Sequence, residues 1–294
     1  MKLGLCLAVT SLIGCGTTTG SSGHPSTWQI VLSTQLEITG VAVDGNGNIY
    51  AAELSGDRVE KFSSKGRALA KWGGTGHGAG QLDQPAKLTV DPQGNVYVTE
   101  LGNDRVQKFS PTGQPLAQWG SSGSGPGQFN WPVGIALDKQ GNLFVADLNN
   151  SRIQKLSPTG IPIAQWGSFG SDPGKFNAPY DLMLDGAGNV YVSDVDNNRV
   201  QELSPTGVPL AHWGLPGSGP GEFGDGGLRG LAFDRQGDLY LADTANNRIQ
   251  KLSPTGQYLA RWAAPGGALG SFSGHTEIAM DTRATFMYPW GTMS

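Results

Sequence analysis

The stretch Gly141–Gly160, GNLFVADLNNSRIQKLSPTG, decides the fold. Leu143–Asp147 reads as a short apolar strand. Leu148–Ser151 reads as a tight turn and Arg152–Leu156 as a second strand. Ser157–Gly160 supplies another turn, and Pro162–Trp166 follows as a third strand. Upstream, Ile135–Asp138 and the turn Lys139–Asn142 add a strand in front. Short runs of apolar and β-branched residues between Gly, Asn, Pro and Ser turns are the signature of an antiparallel meander. No helical period of 3.6 residues competes with it.

The block recurs. Its turn half appears at Glu60–Gly66, Gln107–Gly113, Gln154–Gly160, Gln201–Gly207 and Gln250–Gly256. Ahead of each copy stands an Asp before a turn: Asp44, Asp91, Asp138, Asp185 and Asp234, with a sixth copy opening at Asp281. The spacings are 47, 47, 47, 49 and 47 residues. A period of that length with four strands per unit is one propeller blade. The fold expected is therefore all-β, a six-bladed β-propeller of four-stranded antiparallel blades over 28–294. An apolar residue ends each crossover between blades: Leu82, Phe129, Phe176, Phe223 and Phe272. Gln29–Ser33 falls where an outermost strand belongs. Ile278–Asp281 and Thr285–Tyr288 read as two inner strands. The two ends are expected to combine into the sixth blade, whose third strand is either missing or built from Trp290–Ser294.

Composition agrees with this reading. The 46 Gly among 294 residues supply the positive-φ turns and crossovers that each blade needs. The net charge of −4 argues against a nucleic-acid partner, because such affinity comes largely from neutralising phosphates.

The N-terminus reads as an address. Residues 1–14 combine Lys2, an apolar run from Leu3 to Ile13 and a small residue before a cut, the pattern of a secretory signal. Leu12-Ile13-Gly14-Cys15 resembles the bacterial lipobox, which implies that Cys15 is lipidated and becomes the first mature residue. Residues 15–27 then form the lipidated Cys and a flexible polar tether. Cys6 lies in the signal, so the mature chain keeps no thiol for a disulfide. The expectation is an exported, membrane-anchored monomer in the cell envelope, with no transmembrane helix in the mature form.

The stretch Gly141–Gly160 and its sister copies resemble the NHL repeat, over about 37–288. The resemblance implies a six-bladed propeller. NHL propellers occur in amidating lyases, sensor domains of bacterial kinases, RNA-binding and ubiquitin-ligase proteins and exported bacterial proteins, so the resemblance speaks to fold more than to function.

Residues shared by all copies are best read as what every blade needs. The acid–Arg pairs Glu53/Arg58, Glu100/Arg105, Asp147/Arg152, Asp194/Arg199 and Asp243/Arg248 flank a hairpin and are expected to meet across it. Trp72, Trp119, Trp166, Trp213 and Trp262 are expected to pack between blades. Function is sought where one copy departs from the rest. Four residues before the repeated Asp the copies read Gly40, Lys87, Gly134, Asp181, Gly230 and Glu277. Neighbouring positions add Tyr180 and Arg229, and Trp131 is the only Trp on a crossover. Lys87, Trp131, Tyr180, Asp181, Arg229 and Glu277 thus form a candidate ligand site at the channel mouth. Asp181 and Glu277 are candidate ligands for Ca²⁺, which takes carboxylate oxygens. Tyr180 and Trp131 are candidates to stack a sugar or an aromatic group.

Enzyme signals are weak. The zinc-binding lyases that the resemblance brings to mind use several His, whereas His24, His77, His212 and His275 are scattered. No GxSxG, P-loop or HExxH motif is present. Two functions are expected: a binding or scaffold module for a protein or glycan of the envelope, or a cation-dependent hydrolase or lyase with its site at the channel mouth.

Overall fold

The computed structural model describes residues 38–263, 278–280 and 286–287. Its architecture is a β-propeller. The third blade shows the pattern: Pro132–Leu137, Leu143–Asp147, Arg152–Leu156 and Pro162–Trp166 pair antiparallel in that order, from the axis outward. The strand boundaries agree closely with those read from the sequence. A single 3₁₀ turn, Leu148–Asn150, closes on Ser151 in the left-handed region.

Five four-stranded blades are present among the described residues, rather than six. Their innermost strands are Ile38–Val43, Pro85–Val90, Pro132–Leu137, Pro179–Leu184 and Leu228–Phe233. Between the fifth and the first lies a two-stranded sheet, Ala279–Met280 with Phe286–Met287, whose first strand touches both neighbours. The expectation of six blades, the last allowed to be incomplete, is thereby corrected to five four-stranded blades and a two-stranded sheet among the described residues. The segments expected to complete that sheet, Gln29–Ser33 and Trp290–Ser294, lie outside the described residues. So do the signal, Cys15 and the tether.

The core lies between blades. Tyr50, Ala52 and Val59 of blade 1 pack with Leu88, Val96, Val98 and Phe109 of blade 2, and the same cluster recurs around the ring. Trp72 seals that junction, its ring 6.3 Å from Tyr50 and 6.2 Å from Phe109. Trp72, Trp119, Trp166 and Trp213 each rest on the turn glycine of the next blade, Gly113, Gly160, Gly207 and Gly256. At Gly160 a Cβ would overlap the indole of Trp119, and φ there is +81°. Only glycine meets both conditions.

Crossovers and second-to-third-strand loops share one face. Leu148 N–H donates to Trp131 O, and Thr244 N–H repeats the bond on Gly227 O. The crossover into blade 5 is thus two residues longer, which accounts for the one spacing of 49. The crossover aromatics Phe129, Phe176 and Phe223 are fully buried. Among the described residues no helix is long and apolar enough to cross a membrane.

Candidate binding site at the channel mouth

The repeated acid–Arg pair holds each crossover to its blade. Arg152 Nε donates to Asp147 Oδ2 at 2.7 Å. Its Nη1 donates to Ser124 O and Nη2 to the carbonyls of Gly125 and Gln128, all on the incoming crossover. Gln154 completes the set: its amide nitrogen donates to Asp147 and Gln128 O, and its Oε1 accepts from Gly127 N–H. Arg105, Arg199 and Arg248 do the same with Gln107, Gln201 and Gln250. The repeat marks the Gln as invariant in blades 2 to 5, but only the structure assigns it this role. Its signal was its place two residues after each Arg. Burial pushes the Asp194 carboxyl up, against the backbone bond from Asn177 and the bonds from Asn197 and Arg199.

The repeated Asp is a turn residue in all five described copies. Asp138 Oδ1 accepts from Gln140 and Asn142 N–H, and Oδ2 from the Asn142 amide. Burial opposes its ionisation, but these bonds and Lys155 outweigh it and hold the carboxyl below the usual range.

At the mouth, small and charged residues alternate from blade to blade because the innermost strands crowd one another. A Cβ on Gly40 would lie 2.6 Å from Ala86 O and 2.8 Å from Lys87 Cα. One on Gly134 would lie 2.8 Å from Tyr180 O and 2.9 Å from Asp181 Cα. The gap left by Gly134 is spanned by Lys87, whose Nζ reaches Asp181 Oδ2 at 3.1 Å. Asp181 also takes the N–H of Leu182 on Oδ1 and that of Leu231, in blade 5, on Oδ2. One carboxylate therefore ties blades 2, 4 and 5. Below it runs an axial cavity of about 300 Å³, lined by Leu88, Ile135, Leu182, Leu231 and Ile278 among others.

Tyr180 is 6% exposed. Its ring lies 4.5 Å from the Arg229 guanidinium and 5.5 Å from Lys87 Nζ. Arg229 is half-buried on this aromatic shelf. Trp131 is 48% exposed and sits at φ +60°, with its N–H held by Asp104 Oδ1. So Lys87, Tyr180, Asp181 and Arg229 are brought together, and Trp131 lies on the crossover face outside them. Glu277 lies outside the described residues. Among those residues no three His, Cys, Asp or Glu side chains gather as a metal site would require. His77 is spent on Asn103.

The NHL-repeat family matches at residues 82–109, 129–156 and 227–252. Three stretches of this chain are NHL repeats. No curated protein sequence matches the chain. Solved propellers do. A streptogramin B lyase is 17% identical, covering 90% of this chain and 86% of that one at a TM-score of 0.63. A gluconolactonase from Xanthomonas campestris is 15% identical over 90% and 86%, with a TM-score of 0.64. A chain from a nidogen/laminin complex is 16% identical over 86% and 89%, with a TM-score of 0.61. At these identities the likeness is one of fold. The NHL matches fall on blades 2, 3 and 5, yet blade 4 carries the same Asp194–Arg199–Gln201 clamp. Blade 1 departs, with Glu60 in place of the Gln and Arg58 shared between Glu53 and Glu60.

Proposed function

We propose that this NHL propeller is an exported, lipid-anchored binding module. It presents its crossover face to a protein or glycan of the cell envelope. One observation carries the reading: Trp131 is a large exposed aromatic in the left-handed region. Sister blades use Gln84, Ala178 and Gly227 at that place. The positive φ belongs to the position, since Gln84 at +51° and Ala178 at +56° share it; the exposed indole is what sets blade 3 apart. The fold does not need Trp there, so binding is the simplest reason for it. Lys87 and Asp181, by contrast, are engaged with each other, and Asp181 with two backbone N–H groups, which suits a rigid rim better than a reaction centre. Cys15 would supply the lipid anchor and residues 16–27 the tether.

A pull-down from envelope extract tests the reading, with Trp131→Ala compared against wild type. Loss of a captured component in the variant is expected, and an unchanged capture would overturn it. Membrane fractionation of Cys15→Ser tests the anchor: the variant is expected in the soluble fraction.

A further inference from the structure

The guanidinium of Arg229 stands apart from the other arginines of the inner blades. Arg105, Arg152, Arg199 and Arg248 each spend their donors on a carboxylate and crossover carbonyls. Arg229, on the innermost strand of blade 5, rests over the Tyr180 ring at 4.5 Å and, among the described residues, has no hydrogen-bond or ion-pair acceptor. Exposed Asp225, on the same crossover, does not pair with it; its carboxylate faces Asn198. Asp181, the described carboxylate of the mouth, is engaged by Lys87 and by backbone N–H groups rather than by Arg229. A half-exposed guanidinium held by an aromatic shelf is preorganised for a planar anion, because its fork of donors matches a carboxylate.

The surroundings choose between ligand classes. Beside Trp131 stand two exposed amides, Asn130 and Asn149, the Nδ2 of Asn149 donating to Asn130 Oδ1 at 3.0 Å, and the Asp104 carboxylate, which takes the Trp131 N–H on Oδ1. An exposed indole beside amides suits a hydroxyl-rich ring better than a charged peptide. Trp131 opens blade 3 and Arg229 opens blade 5, so a ligand touching both must be an oligomer.

We propose that the mouth face binds a carboxylate-bearing saccharide, a uronic-acid oligomer, with a carboxylate on Arg229 and a sugar ring on Trp131. This rests on the binding reading above and names its ligand. Arg229 acts through direct charge-assisted hydrogen bonds, so charge must be what the protein prefers.

Calorimetric titration of the whole mature protein tests it, with tetragalacturonic acid and the same tetramer fully methyl-esterified. The acid is expected to bind at least tenfold more tightly than the ester. Arg229→Gln is expected to weaken the acid more than the ester and so remove that preference, and Trp131→Ala to weaken both. Unaltered thermal unfolding of each variant guards against misfolding. Failure of the acid to bind, a preference that survives Arg229→Gln, or equal binding of tetraglutamate would each overturn the proposal. If the acid fails while the pull-down still shows a partner dependent on Trp131, the saccharide falls and the binding module stands.

Discussion

Lys87 Nζ lies 3.1 Å from Asp181 Oδ2, so a blade 2 cation is joined to a blade 4 anion across the glycine of blade 3. The side chains are 6% and 10% exposed. Removing one partner of a buried pair strands the other, at a cost of about 3–5 kcal/mol. Lys87→Met is expected to lower stability by about that much in urea unfolding. Adding Asp181→Asn should recover part of the loss, because the amide keeps an oxygen for one backbone N–H. A loss under about 1 kcal/mol in the single variant would show that the pair is not a structural tie.

The crossover clamp predicts a contrast between blades. Arg152 serves five acceptors on Asp147, Ser124, Gln165, Gly125 and Gln128. A lysine has a single nitrogen and cannot reach them together. Arg152→Lys is expected to cost about 2–4 kcal/mol, given about 1.5–3 kcal/mol for each charge-assisted bond lost and partial repair. Hydrogen exchange should quicken over 124–128. The Arg58 side chain is 31% exposed and, among the described residues, pairs with Glu53 and Glu60 alone, so Arg58→Lys should stay within about 1 kcal/mol. Equal effects at both positions would argue against the clamp.

The repeat made the blades legible in the sequence because every copy solves the same local problem with the same residues. The strands of blade 3, the turn role of Asp138 and the interblade place of Trp72 follow from that. The sixth blade is less legible: the period announces a copy at Asp281, and the described residues hold Ala279–Met280 and Phe286–Met287 of it. The candidate site was half legible. Departure from the repeat singled out Lys87, Asp181 and Arg229, but only geometry shows that Lys87 spans Gly134 to reach Asp181. It also shows that Tyr180 is a shelf under Arg229, because burial depends on contacts between blades more than forty residues apart.

The glycines offer a sharp internal control. Gly160 combines φ +81° with an indole where its Cβ would stand. Backbone strain of about 1–3 kcal/mol adds to overpacking of similar size. Gly160→Ala is expected to cost about 2–5 kcal/mol by denaturant unfolding. At Gly186 φ is not positive and a Cβ would meet nothing within 4 Å. Gly186→Ala should be neutral to within about 0.5 kcal/mol. A cost at Gly186 equal to that at Gly160 would remove the indole from the explanation.

The turn aspartates make stability depend on acid. Asp138 has a folded-state pKa held below its unfolded value of about 3.9, since hydrogen bonds to the carboxylate outweigh burial. Asp44 is shifted in the same direction, with burial again opposing the bonds from Asn48, Asn46 and Tyr50. A depressed carboxyl stabilises the fold above the unfolded pKa, and that contribution is lost as pH falls through the folded one. Stability should therefore drop below about pH 4, and Asp138→Asn should flatten the drop. A variant with the same acid dependence as wild type would show that other groups dominate.

Calcium separates the binding reading from a cation-dependent enzyme at the same mouth. Ca²⁺ takes about six to eight oxygens at about 2.3–2.6 Å. Asp181 would have to yield Oδ2, which now serves Lys87 and Leu231 N–H, and Oδ1, which serves Leu182 N–H. An ion bound there must displace Lys87, so binding would be opposed by the ammonium that remains nearby. Calorimetric titration of Ca²⁺ into the protein is therefore expected to give no heat above dilution. Lys87→Met removes the competitor without touching the carboxylate. Calcium binding that appears only in that variant would identify Lys87 as the built-in occupant of the site. Calcium binding to the wild-type protein that Asp181→Asn abolishes would instead favour the enzyme.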